Sequence, residues 1–65
     1  MKIYELNVWE GRGDHKTWLF TNKKKAIEDA NEFRENTWVS EVWLRTWVRV
    51  GGDMKIEENG PVFQR

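Results

Sequence analysis

The stretch Trp38–Val50, WVSEVWLRTWVRV, constrains this chain more than any other. It holds 13 residues with no Gly or Pro and is dominated by β-branched and aromatic types, which fit a pleated strand better than a helix. Side chains alternate across a strand. One face therefore carries Trp38, Ser40, Val42, Leu44, Thr46, Val48 and Val50 and reads as core-facing. The other carries Val39, Glu41, Trp43, Arg45, Trp47 and Arg49, where indoles alternate with charges. Exposed aromatic stripes of this kind mark contact surfaces. A bend or bulge near Ser40 is the competing reading, because it would change which face the second half presents.

The rest of the chain supplies partners for this strand. Lys2–Trp9 alternates, with Tyr4, Leu6 and Val8 on one face and Ile3, Glu5, Asn7 and Trp9 on the other. Glu10–Asp14 contains two Gly and reads as a hairpin loop. His15–Phe20 is a second strand, with Trp18 and Phe20 on one side and Thr17 and Leu19 on the other. Thr21 or Asn22 can cap a helix over about residues 23–35. Its stripe of Ala26, Ile27, Ala30 and Phe33 marks the buried face, and Asn36 is its C-terminal stop. After the long strand, Gly51–Gly52–Asp53 is a tight turn. Met54–Glu58 reads as a short fourth strand with Met54 and Ile56 inward. Asn59–Gly60–Pro61 then reads as a second turn, ahead of a fraying tail. The order β-β-α-β-β predicts one α+β domain over residues 1–65, an antiparallel sheet with one helix packed on one face. The second face of the sheet would then be left open around Trp43 and Trp47, joined by Ile3 and Trp9.

A chain of 65 residues buries only about 60% of its unfolded surface, so it needs reinforcement. Cysteine is absent, which removes disulfides and thiolate metal sites, and one histidine cannot hold a metal by itself. Dense aromatics, with five Trp, and self-association remain as sources of stability. The absence of cysteine, of an apolar leader and of a membrane-length apolar run fits a soluble cytoplasmic protein. Eleven basic and eleven acidic residues give zero net charge, which disfavours general nucleic-acid binding.

No set of residues carries catalytic chemistry. Asp14 and His15 are adjacent and point apart on a strand, and Ser40 is the only serine. Arg12–Gly13–Asp14 spells an integrin-binding tripeptide but is ordinary hairpin-tip composition. Lys23–Lys24–Lys25 could receive a phosphate at a helix start, yet reads more simply as a solvated first turn. The best functional set is Val39, Glu41, Trp43, Arg45, Trp47 and Arg49 with Trp9, since Trp and Arg dominate interface hot spots. The expectation is a non-enzymatic protein-interaction module with no cofactor and no metal. Its partner would be another protein, including a second copy of itself in a homodimer. A nucleotide stacked between Trp and Arg is the alternative.

Trp18–Leu19–Phe20–Thr21–Asn22–Lys23–Lys24–Lys25–Ala26, following a short Gly-containing hairpin, resembles a pattern in small bacteriophage proteins. There a hairpin ends in Phe-(Thr/Ser)-(Asp/Asn)-Lys and a helix begins with Lys-Ala. The likeness covers roughly residues 1–35, and the Trp-rich third strand departs from it. The same residues also satisfy plain helix-capping chemistry. The resemblance implies a phage or mobile-element origin and an inhibitor of a host or anti-phage defence protein, acting in the host cytoplasm. It maps no functional residues onto this chain.

Overall fold

The computed structural model describes all 65 residues. Four strands and one helix follow in the expected order: β1 (Lys2–Glu10), β2 (His15–Phe20), α1 (Lys23–Glu32), a 3-10 turn (Phe33–Glu35), β3 (Val39–Val50) and β4 (Asp53–Gln64). The strands form one antiparallel sheet in the order β2-β1-β3-β4. The domain is thus α+β, with β1 and β3 in the centre. Because β2 and β3 both run antiparallel to β1, they are parallel to each other. The helix connects them by crossing over β1, which places it on one face of the sheet.

Local chemistry sets the connections. The β1–β2 loop closes with Glu10 N–H donating to Asp14 O at 2.8 Å. Gly13 takes φ 92 there, a conformation that side chains resist. The Asn22 side chain caps α1 by accepting from Lys25 N at 3.2 Å. Val50 pairs with Asp53 across Gly51–Gly52, and Gly51 supplies the positive φ that a type II′ hairpin needs at its first central position.

The core lies between α1 and the sheet. Leu6 and Val8 of β1, Val39 and Val42 of β3, and Ala26 and Ala30 of α1 are fully or almost fully buried. Phe20, Phe33, Leu44, Val62 and Phe63 pack around them and stay half-buried. Two alanines at i, i+4 let the helix approach the sheet closely, leaving Phe33 to close its end. Ile27 of the expected stripe lies 37% exposed, so the buried face is narrower than the periodicity predicts. Only eight residues are buried, so the domain is stabilised by shared, partial burial rather than a deep core.

Four expectations are corrected. Helical geometry tightens into a 3-10 turn at Phe33 instead of running on to Glu35. Asn59–Gly60–Pro61 does not turn: β4 runs unbroken for 12 residues. It lies at the sheet edge, where a proline removes few ladder hydrogen bonds. Two register shifts, at Val42/Trp43 and Thr46/Trp47, absorb Val62 and Glu57 as extra residues. The two-residue Gly51–Gly52 turn places Met54 opposite Arg49 and Ile56 opposite Trp47, on the helix-free side rather than inward. The C-terminal residues do not fray either. Arg65 N–H donates to Ser40 O at 2.9 Å, and its guanidinium donates to the carbonyls of Arg34, Asn36 and Val39. These bonds satisfy carbonyls at the end of the 3-10 turn. Arg34 completes the closure by donating to Val62 O at 2.9 Å. Both guanidinium groups lie near the Phe63 ring, at 5.1 and 5.0 Å from its centroid.

Candidate functional site

The helix-free face is built by β1 and β3, with β2 and β4 at its flanks. Cross-strand pairing places Glu5 opposite Arg45, Asn7 opposite Trp43 and Trp9 opposite Glu41. On the outer side, Glu5 faces Leu19, Asn7 faces Thr17 and Trp9 faces His15. Directly opposed side chains are close enough to interact, so the register itself assembles a cluster.

Two polar residues of β1 organise it. Glu5 Oε2 accepts from Asn7 Nδ2 at 2.6 Å, and Glu5 Oε1 accepts from Trp47 Nε1 at 2.8 Å. The Arg45 guanidinium lies 3.7 Å from the same carboxylate and 5.9 Å from the Trp47 ring centroid. Asn7, only 5% exposed, uses its carbonyl oxygen as an acceptor for Thr17 Oγ1 at 2.9 Å, with His15 Nε2 also at 2.9 Å. The His15 ring in turn stacks on Trp9, 4.4 Å between centroids and 13° from parallel. The cluster runs continuously from Trp9 through His15, Asn7 and Glu5 to Trp47 and Arg45.

Burial of Glu5 pushes its carboxyl pKa upward, but the hydrogen bonds from Asn7 and Trp47 and the charges of Arg45 and His15 outweigh this. The net result is a pKa below the ordinary glutamate value. The carboxylate is held ionised as the acceptor at the centre of the face. Nearby, Trp43 Nε1 and Arg45 Nε are buried donors without an acceptor in the chain.

Of the residues singled out from the sequence, Trp9, Glu41, Trp43, Arg45 and Trp47 lie on this face and are half-buried. Arg49 also lies there, but exposed, with its Nε 3.4 Å from Gly51 O. Val39 does not. It is 1% exposed and belongs to the core. Trp9 pairs with Glu41 while Glu10 pairs with Val39, so Ser40 is an extra residue in β3. This bulge turns Val39 to the helix side, and the Ser40 hydroxyl donates to Trp9 O at 3.0 Å. The bulge near Ser40 is therefore real. It moves the residue before it, and Glu41 onward keep their expected faces. Trp38, expected to face the core, precedes the bulge and is 64% exposed.

The polar organisers Glu5, Asn7, His15 and Thr17 were not singled out from the sequence. Their common face was legible in the alternation, and Asn in a mid-strand position is a recognisable signal because strands are depleted in it. Their mutual contacts depend on the β1–β2 and β1–β3 registers.

The face is broad and lacks a deep cavity. The two clefts of the molecule lie elsewhere. One, of about 270 Å³, is lined by Glu10, Gly11, Arg12, Asp14 and Trp38. Within it, the Arg12 guanidinium sits 5.4 Å from the Trp38 ring centroid. The other, of about 290 Å³, lies between α1 and β2. No three His, Cys, Asp or Glu side chains converge as a metal-ligand set, and no helix is long and apolar enough to cross a membrane. Comparisons with protein-family models, with curated proteins and with solved structures find no match to this chain.

Proposed function

We propose that this chain acts by binding protein rather than by catalysis, through the helix-free face of its sheet. The observation that carries the reading is the aromatic cluster Trp9, Trp43 and Trp47 on one flat surface, where Trp47 is hydrogen-bonded to Glu5 and Trp9 is stacked on His15. Flat aromatic surfaces with arginine beside them resemble the centres of protein interfaces. A nucleotide would need a concave site that encloses it, so the flatness favours a protein partner. Exposed apolar side chains extend the surface at both flanks: Leu19 on β2, and Ile56 and Met54 on β4.

In the absence of a target, a second copy of the chain is the proposed occupant. A two-fold axis lets one patch cover itself, and it would bring Arg45 and Arg49 of one chain toward Glu41 of the other. The resemblance of residues 1–35 to small bacteriophage proteins gives the reading its biological form. The target would be a host or anti-phage defence protein in the cytoplasm, and binding would inhibit it.

Sedimentation equilibrium tests the self-association. Wild type is expected to be dimeric at micromolar concentration, and Trp43→Ser with Trp47→Ser is expected to be monomeric with its helix intact by circular dichroism. A monomeric wild type at high micromolar concentration would remove the homodimer. Retention of a bacterial target by wild type and by the double variant alike would remove this face as the binding surface.

A further inference from the structure

The second cleft carries an inference independent of the helix-free face. It lies on the helix side of the sheet, at the β2 edge. Leu6 is on its floor, Trp18 and Phe33 form an aromatic wall, and Asp29, Glu32 and Asn36 line it from the helix and the segment after it. The Trp18 and Phe33 rings are 5.3 Å apart at 42°. Trp18 is 39% exposed although it faces the core side, because the two alanines of α1 leave it uncovered.

Elsewhere the chain places a guanidinium over three of its nine aromatic side chains. Four of its five arginines lie over aromatic faces: Arg12 on Trp38, Arg45 on Trp47, and Arg34 and Arg65 on Phe63. The Trp18–Phe33 pair has no guanidinium over it. It has instead two carboxylates beside it, and neither forms an ion pair within the chain, whose three ion pairs all lie elsewhere. An aromatic wall attracts a cation through its ring face. A carboxylate adds a charge-assisted hydrogen bond to a guanidinium fork. Arginine suits this mixture better than lysine, because its planar, weakly hydrated head can stack on an indole while bonding an acid. The other groups facing the cleft do not compete for that role: Asn36 Oδ1 is occupied by Trp38 N–H at 2.9 Å, and Lys16, next on the same face of β2, is paired with Glu10 at 3.2 Å.

We propose that the Trp18–Phe33 cleft receives an arginine side chain from a partner polypeptide, stacked on Trp18 and bonded to Asp29 or Glu32. This gives the molecule a second recognition point, on the opposite face of the sheet from the Trp9–Trp43–Trp47 cluster.

Nuclear magnetic resonance of the full-length ¹⁵N-labelled chain, titrated with Nα-acetyl-arginine amide, tests it. The neutral isostere Nα-acetyl-citrulline amide is the control. The arginine compound is expected to shift the Trp18 indole N–H and the Asp29, Glu32 and Phe33 amides saturably, with affinity about tenfold above citrulline. Asp29→Asn with Glu32→Gln is expected to abolish that preference while leaving the remaining spectrum in place, since both replacements keep side-chain size and neither carboxylate has an ion-pair partner in the chain. Absence of shifts at Trp18, an equal response to citrulline, or a preference that survives in the double variant would overturn the assignment. So would shifts centred on Trp38 or on the helix-free face.

Discussion

The two faces of this sheet are stabilised by different physics. The helix side is a shape problem. Leu6, Val8, Val39 and Val42 are buried against Ala26 and Ala30, and their contribution follows the apolar area removed from water. The helix-free side is a hydrogen-bonding problem. Glu5, Asn7, Thr17 and His15 are locked to one another and to Trp47, and the indoles are half-covered by their strand neighbours rather than by a second layer. The difference teaches how a short chain can keep an aromatic surface uncovered: a cross-strand hydrogen bond orders Trp47 and stacking on His15 orders Trp9, in place of a packed layer. It also separates two properties that usually travel together, since one face holds the apolar core and the other supplies the surface proposed to bind.

The sharpest break of this comparison is at Val39, which alternation alone puts on the open face. Val39→Asp should unfold the domain, because it strands a charge in the core at a cost of several kcal/mol. A folded variant by circular dichroism would mean that the Ser40 bulge does not form. Leu6→Ala comes next, at about 2–5 kcal/mol in urea denaturation. That loss approaches the whole stability expected of so small a domain. Asn7→Ala probes the opposite side of the same strand. It removes one acceptor and one donor and leaves partners behind it, so about 1–3 kcal/mol should be lost. If the Asn7 loss exceeds the Leu6 loss, the helix-free face is the dominant source of stability and the comparison reverses.

Phe33→Ala should cost about 2 kcal/mol. Phe33 is half-buried at the end of the helix, and a fully buried ring would cost about 3–5 kcal/mol. The smallest effect is a pH dependence at Glu5. Its folded pKa is depressed, so its contribution is complete above the ordinary value of 4.5 and is lost as pH falls through the lower folded value. Glu5→Gln should therefore be less stable than wild type at neutral pH. The gap should narrow on acidification below pH 4.5, as followed by thermal melts across the acid range. A gap that stays constant with pH would show that the carboxylate charge is not what orders Trp47.

What the sequence by itself determined is local. Alternation assigned faces correctly for β1, for β2 and for β3 from Glu41 onward, because each step along an unbroken strand reverses the side chain. Two Gly-containing loops and the Asn22 cap were legible because they depend on a few neighbouring residues. Tertiary structure decided everything that turned on register. The bulge at Ser40 moved Val39 from one face to the other, and only its pairing with Glu10 reveals it. Asn59–Gly60–Pro61 has the local chemistry of a turn, yet it lies in a strand because β3 offers a continuous ladder and the edge position tolerates proline. Arg65 bonds to carbonyls 26 to 31 residues away, a relation that no local pattern encodes. The Glu5–Trp47 bond spans 42 residues for the same reason: hydrogen bonds need atoms within about 3 Å, and strand register alone brings these two together.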